Sequence, residues 1–166
     1  KVLDVAMTAY WHADPADVSV NAICQMAGIS KPSLYREFGS EDGLSRAVLD
    51  RYKARGLTPV CAMELEFFLI DDSGRNLQVP TSPRSGKRRV AGEILSLRAL
   101  DQFDVFFTDL YDACEEMDIP ADTAISEAGL GQFEINLMHC DDALRAADDA
   151  WLFKMLVKGM ARKHGF

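Results

Sequence analysis

EDGLSRAVLDRYKARGLTPVCAMELEFFLI (Glu41–Ile70) changes periodicity partway along. Its first part is helical: Ser40 stands where an N-cap belongs, and Glu41 and Asp42 fall in the first turn, where the helix dipole favours acid. Gly56 supplies a turn. VCAMELEFFLI then alternates, with Met63, Leu65, Phe67 and Leu69 on one face of a strand and Glu64, Glu66, Phe68 and Ile70 on the other. Helix grammar ends and strand grammar begins within one run, which raises the question of whether it is a seam between two parts.

The chain has 166 residues, 48% of them hydrophobic, enough to bury a core in one ordinary domain or two small ones. Its net charge of -8 lies entirely downstream of the seam, because acids and bases balance before Gly56. An acidic chain gains nothing from its overall field on approaching DNA, so any DNA binding rests on a local basic surface. Cys24, Cys61, Cys114 and Cys140 are scattered, with no CxxC pair. That spacing favours reduced thiols in a cytoplasmic protein over disulfides or zinc. No signal peptide or membrane-length apolar run is present, and the opening Lys1 points to a start that is missing or processed.

Upstream of the seam the pattern is helical throughout. Leu3, Ala6, Met7 and Tyr10 recur at helical spacing until Asp14-Pro15 stops the run. Ser19 caps VNAICQMA, Gly28 provides a left-handed turn residue, and Ser30 caps KPSLYREF with Pro32 in its first turn. Helix, three-residue turn and helix together predict a helix-turn-helix. In the second of these helices Ile29, Leu34 and Phe38 face the core, leaving Lys31, Ser33, Tyr35 and Arg36 as phosphate and base-edge donors.

VSVNAICQMAGISKPSLYREFGSEDGLSRAVLDRY resembles the N-terminal DNA-binding domain of TetR-family transcriptional regulators, from Lys1 to about Tyr52. The resemblance implies DNA contacts by Ser19, Ser30, Lys31, Ser33, Tyr35 and Arg36. Two positions depart from the family pattern. Asp14-Pro15 replaces a Gly-aromatic pair, and Glu37 replaces a common His, bringing an acid toward phosphate.

Downstream, AISEAGLGQFEINL places Glu127 and Glu134 around a turn from Gly129 to Gly131 with strand-like flanks. Two long helices frame it. LRALDQFDVFFTDLYDACEEM carries a core stripe of Leu100, Phe103, Phe107, Leu110 and Cys114. DDALRAADDAWLFKMLVKGMARKHG carries Leu144, Ala147, Trp151, Met155 and Val157 or Met160 as its expected core stripe, with Asp141, Asp142, Asp148 and Asp149 as a solvated face. On the strand, Glu64 and Glu66 lie roughly 6.5 to 7 Å apart and share their face with Phe68 and Ile70. Either this is a half-exposed strand with two solvated glutamates, or its carboxylates are buried and need a compensating cation, in which case this spacing suits two neighbouring metals.

MELEFFL, ISEAGLGQFEINL and DALRAADDAWLFKMLVKGMARKHG resemble the catalytic domain of class I glutamine synthetases, from about Arg51 to Phe166. The step from Glu127 to Glu134 and the QFEIN phrase resemble the gamma-glutamylpolyamine ligases of that superfamily more than glutamine synthetase proper. The resemblance implies that Glu66, Glu127 and Glu134 hold one Mg²⁺ or Mn²⁺, that Glu64 helps hold a second, and that ATP is the co-substrate.

The expected fold class is therefore α+β: an all-α helix-turn-helix bundle over residues 1–54, then over 55–166 a partial glutamine-synthetase-type antiparallel sheet with two long helices. The expected function is a DNA-binding module joined to a metal-binding synthetase segment that does not catalyse alone, with DNA as partner, self-association left open and no membrane. The alternatives are an ATP-dependent glutamate-ammonia or glutamate-amine ligase, and a fusion without function. The segment KHGF precedes the sequence in which that family keeps its remaining metal and nucleotide ligands.

Overall fold

The computed structural model describes residues 1–13, 17–74 and 76–166. The chain divides into two compact units, Lys1–Pro59 and Val60–Phe166. Asp14-Pro15, expected to end the first helix, lies outside the described residues. Among the described residues no helix is long and apolar enough to cross a membrane.

The first unit is four helices: α1 (Val2–His12), α2 (Val20–Ala27), α3 (Lys31–Phe38) and α4 (Glu41–Lys53). Three hydroxyls start three of them. Ser19 Oγ accepts the Ala22 N–H at 3.2 Å, Ser30 Oγ the Ser33 N–H at 3.3 Å and Ser40 Oγ the Gly43 N–H at 3.0 Å. Each cap stabilises its helix by about 1 kcal/mol. The α2–α3 turn is closed by two backbone bonds, Gly28 N–H to Gln25 O and Ile29 N–H to Cys24 O, with Gly28 at φ 67°. This is a Schellman closure, and it needs a residue that accepts the left-handed region without a Cβ penalty. The core beneath is Val2, Ala6, Met7, Val20, Ile23, Cys24, Ala27, Leu34, Leu44 and Val48, with Ile29, Tyr35 and Phe38 packed at its margin.

The second unit carries strands β1 (Glu64–Phe68), β2 (Ala121–Ser126) and β3 (Gln132–Leu137), with helices α5 (Leu97–Asp101), α6 (Asp104–Glu116) and α7 (Ala143–Lys163). The sheet is antiparallel in the order β1-β3-β2. Along β3 burial alternates, with Phe133, Ile135 and Leu137 turned into a core completed by Phe103, Phe106, Phe107, Leu110, Phe153 and Val157. Gln132, Glu134 and Asn136 therefore face the other way.

Two expectations need correction. The first long helix is broken into α5 and α6 at Gln102–Phe103. There Ser82 Oγ donates to the Gln102 carbonyl at 3.0 Å, and Phe103 leaves the helical region (φ −125°, ψ 29°). Its ring is fully buried, edge-on to Phe133 at 5.7 Å and to Phe166 at 5.5 Å. Tertiary packing of that one aromatic ring outweighs helical propensity. The second correction concerns α7. Its buried face is Ala146, Asp149, Ala150, Phe153 and Val157, whereas Trp151 is 62% and Met155 52% exposed. Leu144, Ala147, Trp151 and Met155 of the expected stripe thus lie on the exposed side of the helix, whereas Val157 is buried as expected and Met160 packs against the core. Small Ala146 and Ala150 let the helix approach closely, and Asp149 is tolerated there because Arg145 Nε donates to it at 3.1 Å. Asp149 is thus not part of a solvated face, and Asp142 accepts the Leu144 and Arg145 N–H groups as the cap of α7.

Candidate functional site

The solvent-side face of the sheet gathers carboxylates. Glu66 on β1 stands directly opposite Glu134 on β3, and Glu64 opposite Asn136. Like charges in directly opposed positions repel. Glu127 follows β2 and is drawn in by its backbone, whose N–H donates to Gln132 O at 3.0 Å. The turn between them is tight. Gly131 has φ 76°, and a Cβ there would come within 2.9 Å of Val79 Cγ2 and 3.0 Å of Leu69 O. Glu66, Glu127 and Glu134 each present an oxygen within 4.8 Å of the others.

Glu64 lies outside that group of three but close enough to act on it. Glu134 has its carboxyl held above the usual range by burial, then by a hydrogen bond with Glu127 and by the charges of Glu64 and Glu127, with Asn136 opposing. The face is more open than its apolar neighbours predict: Glu64 and Glu66 are exposed, Phe68 is 57% and Ile70 38% exposed. Of the two expectations, the half-exposed strand with solvated Glu64 and Glu66 is the one observed, and burial does not by itself call for a cation there. Crowding of like charge around half-buried Glu134 takes its place.

Two site residues were not singled out in the sequence. Gln132 Nε2 donates to Glu66 Oε2 at 2.5 Å while its Oε1 accepts the Gly129 N–H at 3.0 Å, tying the turn to β1. Asn136 Oδ1 is buried with no hydrogen-bond partner among the described residues. Period two along QFEIN puts Gln132, Glu134 and Asn136 on one face, so the alternation itself carried the signal.

In the first unit, Ser19, Ser30, Lys31 and Arg36 are exposed, and Ser33 and Tyr35 are half-buried. Lys31 Nζ lies 5.5 Å over the Tyr35 ring. Ser19 and Ser30 use their oxygens as caps, and the Ser30 and Ser33 hydroxyls bond each other at 2.9 Å. Ser30, with two bonds, keeps one hydrogen or lone pair for an outside ligand, and Ser19 and Ser33, with one bond each, keep two. Arg36 and Lys31 hold the positive charge of this surface, with exposed Glu37 beside Arg36.

Comparison with known proteins assigns both parts. The glutamine synthetase catalytic domain matches residues 43–166, and the N-terminal domain of bacterial regulatory proteins of the tetR family matches residues 2–48. Gamma-glutamylputrescine synthetase PuuA of Escherichia coli (strain K12) is 43% identical over 126 residues, covering 72% of this chain and 27% of PuuA. HTH-type transcriptional repressor ComR of the same organism is 42% identical over 50 residues, 30% of this chain and 24% of ComR. A solved GmaS/ADP complex superposes with a TM-score of 0.59 at 27% identity, covering 72% of this chain and 26% of that one. The chain thus spans about a quarter of the length of these relatives. The two matched domains overlap between residues 43 and 48, inside the run that changes periodicity. The chain belongs to the glutamine synthetase family through its catalytic-domain segment, and it carries a TetR-type helix-turn-helix in front of that segment.

Proposed function

We propose that residues 1–54 bind DNA through α3, and that residues 55–166 hold a divalent cation on Glu66, Glu127 and Glu134 without carrying out ligation alone. The observation that carries the metal reading is the convergence within 4.8 Å of three carboxylates from β1, β3 and the β2–β3 turn. The donor set fits Mg²⁺ or Mn²⁺: hard carboxylate oxygens, with the unpartnered Asn136 Oδ1 on the same strand face. Bound there, the ion would cancel carboxylate repulsion and offer a charged anchor for nucleotide phosphates. Gln132 would keep Glu66 oriented, and Glu64 would extend the negative field toward a second ion. Calorimetric titration of Mn²⁺ into the chain tests this. One strong site that disappears in Glu66→Gln and Glu134→Gln is expected; unchanged binding in both variants removes the reading.

The DNA reading rests on the TetR-type match together with the exposed Lys31 and Arg36 on α3. One such head offers few charged phosphate contacts, so affinity is modest and its salt dependence shallow, and a second copy would be needed for tight binding. Both activities suit a cytoplasmic setting.

A further inference from the structure

Cys61 and Cys140 are far apart in sequence and were expected to be isolated thiols, yet they face each other across the sheet. Cys61 N–H donates to Cys140 O at 2.8 Å and Cys140 N–H donates to Cys61 O at 2.8 Å, an antiparallel hydrogen-bonded pair. It lies beyond the end of the β1–β3 ladder. Leu137 N–H donates to Met63 O at 2.8 Å, and from that pair the step to Cys61 is two residues and to Cys140 three. One extra residue therefore bulges on the Cys140 side before pairing resumes.

We infer that Cys61 and Cys140 are a redox-active pair that forms a reversible disulfide by exchange with a small-molecule disulfide of the oxidised-glutathione class. Opposed residues of a hydrogen-bonded antiparallel pair have Cα atoms about 5.5 Å apart and side chains on one face, inside the roughly 4.4 to 6.8 Å that a disulfide spans. Their Cβ atoms, about 4.5 to 5.5 Å apart in such pairs, must close by about 1 Å, which keeps the bond at the reducible end of the scale. Both thiols are free and half-buried, so a small oxidant reaches them. Cys24 and Cys114 differ: both are buried, and burial pushes the Cys114 thiol up to about 11. Cys140 Sγ accepts the Asp142 N–H at 3.3 Å, which fixes its orientation at the start of α7.

The chemistry balances with the named oxidant alone. One cysteine thiolate attacks a sulfur of the small disulfide, the S–S bond breaks, and one small thiolate leaves and takes up a proton. The second cysteine thiolate then attacks the protein sulfur of the mixed disulfide, forming the Cys61–Cys140 bond and releasing the second small thiol. Two protein thiols lose two electrons and one small disulfide gains them. The bond joins the entry of β1 to the β3–α7 connection. In a reducing compartment such a labile pair acts as a sensor rather than a staple.

The test incubates the whole chain in a series of oxidised to reduced glutathione ratios, quenches in acid, alkylates, and maps the products by peptide mass. The expected product is an intramolecular Cys61–Cys140 cross-link lighter by two hydrogens, retaining no glutathione and reversed by dithiothreitol, with Cys24 and Cys114 alkylated only after denaturation. In Cys61→Ser, Cys140 should stop as a stable glutathione adduct, and Cys61 likewise in Cys140→Ser. Stable glutathione adducts at Cys61 or Cys140 of the unsubstituted chain overturn the inference. So do cross-links to Cys24, Cys114 or a second chain, or no reaction where a short cysteine peptide is fully oxidised.

Discussion

Glu134 is the residue on which the second unit's chemistry and stability meet. It faces Glu66 across the ladder, and burial, then a hydrogen bond with Glu127 and the charges of Glu64 and Glu127, raise its carboxyl above the ordinary 4.5. The folded chain therefore binds its proton more tightly than the unfolded chain does. Without a cation, this group makes stability fall as pH rises through the ordinary carboxylate range and level off above the raised folded value. Glu134→Gln removes that penalty, so the variant should melt higher than the parent at neutral pH and depend less on pH. A cation competes with the same proton, so Mn²⁺ affinity should strengthen as pH rises from about 5 to 7. Melting curves of both chains across that range, with and without millimolar Mn²⁺, decide the matter. A Glu134→Gln chain that melts lower at neutral pH, or a parent indifferent to Mn²⁺, contradicts it.

At the scale of elements, α3 of the first unit, the proposed DNA-reading helix, has a testable division of labour. Leu34 is fully buried and holds α3 to the core, while Arg36 is exposed. Arg36→Ala should nearly abolish binding to a labelled duplex without lowering the melting temperature. Ser30→Ala should cost about 1 kcal/mol of stability through the lost cap. Retained binding in Arg36→Ala and Lys31→Ala together would put the DNA surface elsewhere. The caps, the Gly28 turn and the Leu34 face were legible because each depends on local chemistry: a hydroxyl three residues before an amide, a residue free of Cβ, a period near four. The opposed glutamates were legible in part, since alternation gave their faces and only pairing gives their register. The orientation of α7 was not, because that helix carries two apolar stripes and only its packing on α6 and the shared core selects one. Phe153→Ala should accordingly cost about 3 to 5 kcal/mol, and Trp151→Ala, at an exposed position, less than about 0.5. Denaturant midpoints separate the two. The Cys61–Cys140 pairing was also hidden, since a bulge shifts the register that alternation would extrapolate.

For the whole molecule the question is whether a chain spanning 27% of PuuA retains PuuA's kind of chemistry. Joining glutamate to an amine through an acyl phosphate requires ATP held in line with a carboxylate, with cations placed to meet charge on the transferring phosphoryl group. In the proposed reading the carboxylate cluster would supply one corner of such a site. Several of the other candidate groups are committed elsewhere. The Gly129 N–H is taken by Gln132 Oε1 and does not face outward as a phosphate donor. Arg145 is paired with Asp118 and Asp149, and Lys163 with Asp109. Lys154 and Lys158 are exposed on α7, where a lysine is a mobile, hydrated charge rather than a preorganised one. Positioning and electrostatics supply most of the rate in phosphoryl transfer, so a segment acting without them should be slower by many powers of ten. Phosphate release from ATP, assayed with glutamate plus ammonia and with glutamate plus putrescine, in Mg²⁺ and in Mn²⁺, should stay at background while Mn²⁺ still raises the melting temperature. Turnover that vanishes in Glu66→Gln would reverse the order of the two readings and make the chain a ligase that carries a DNA-binding head.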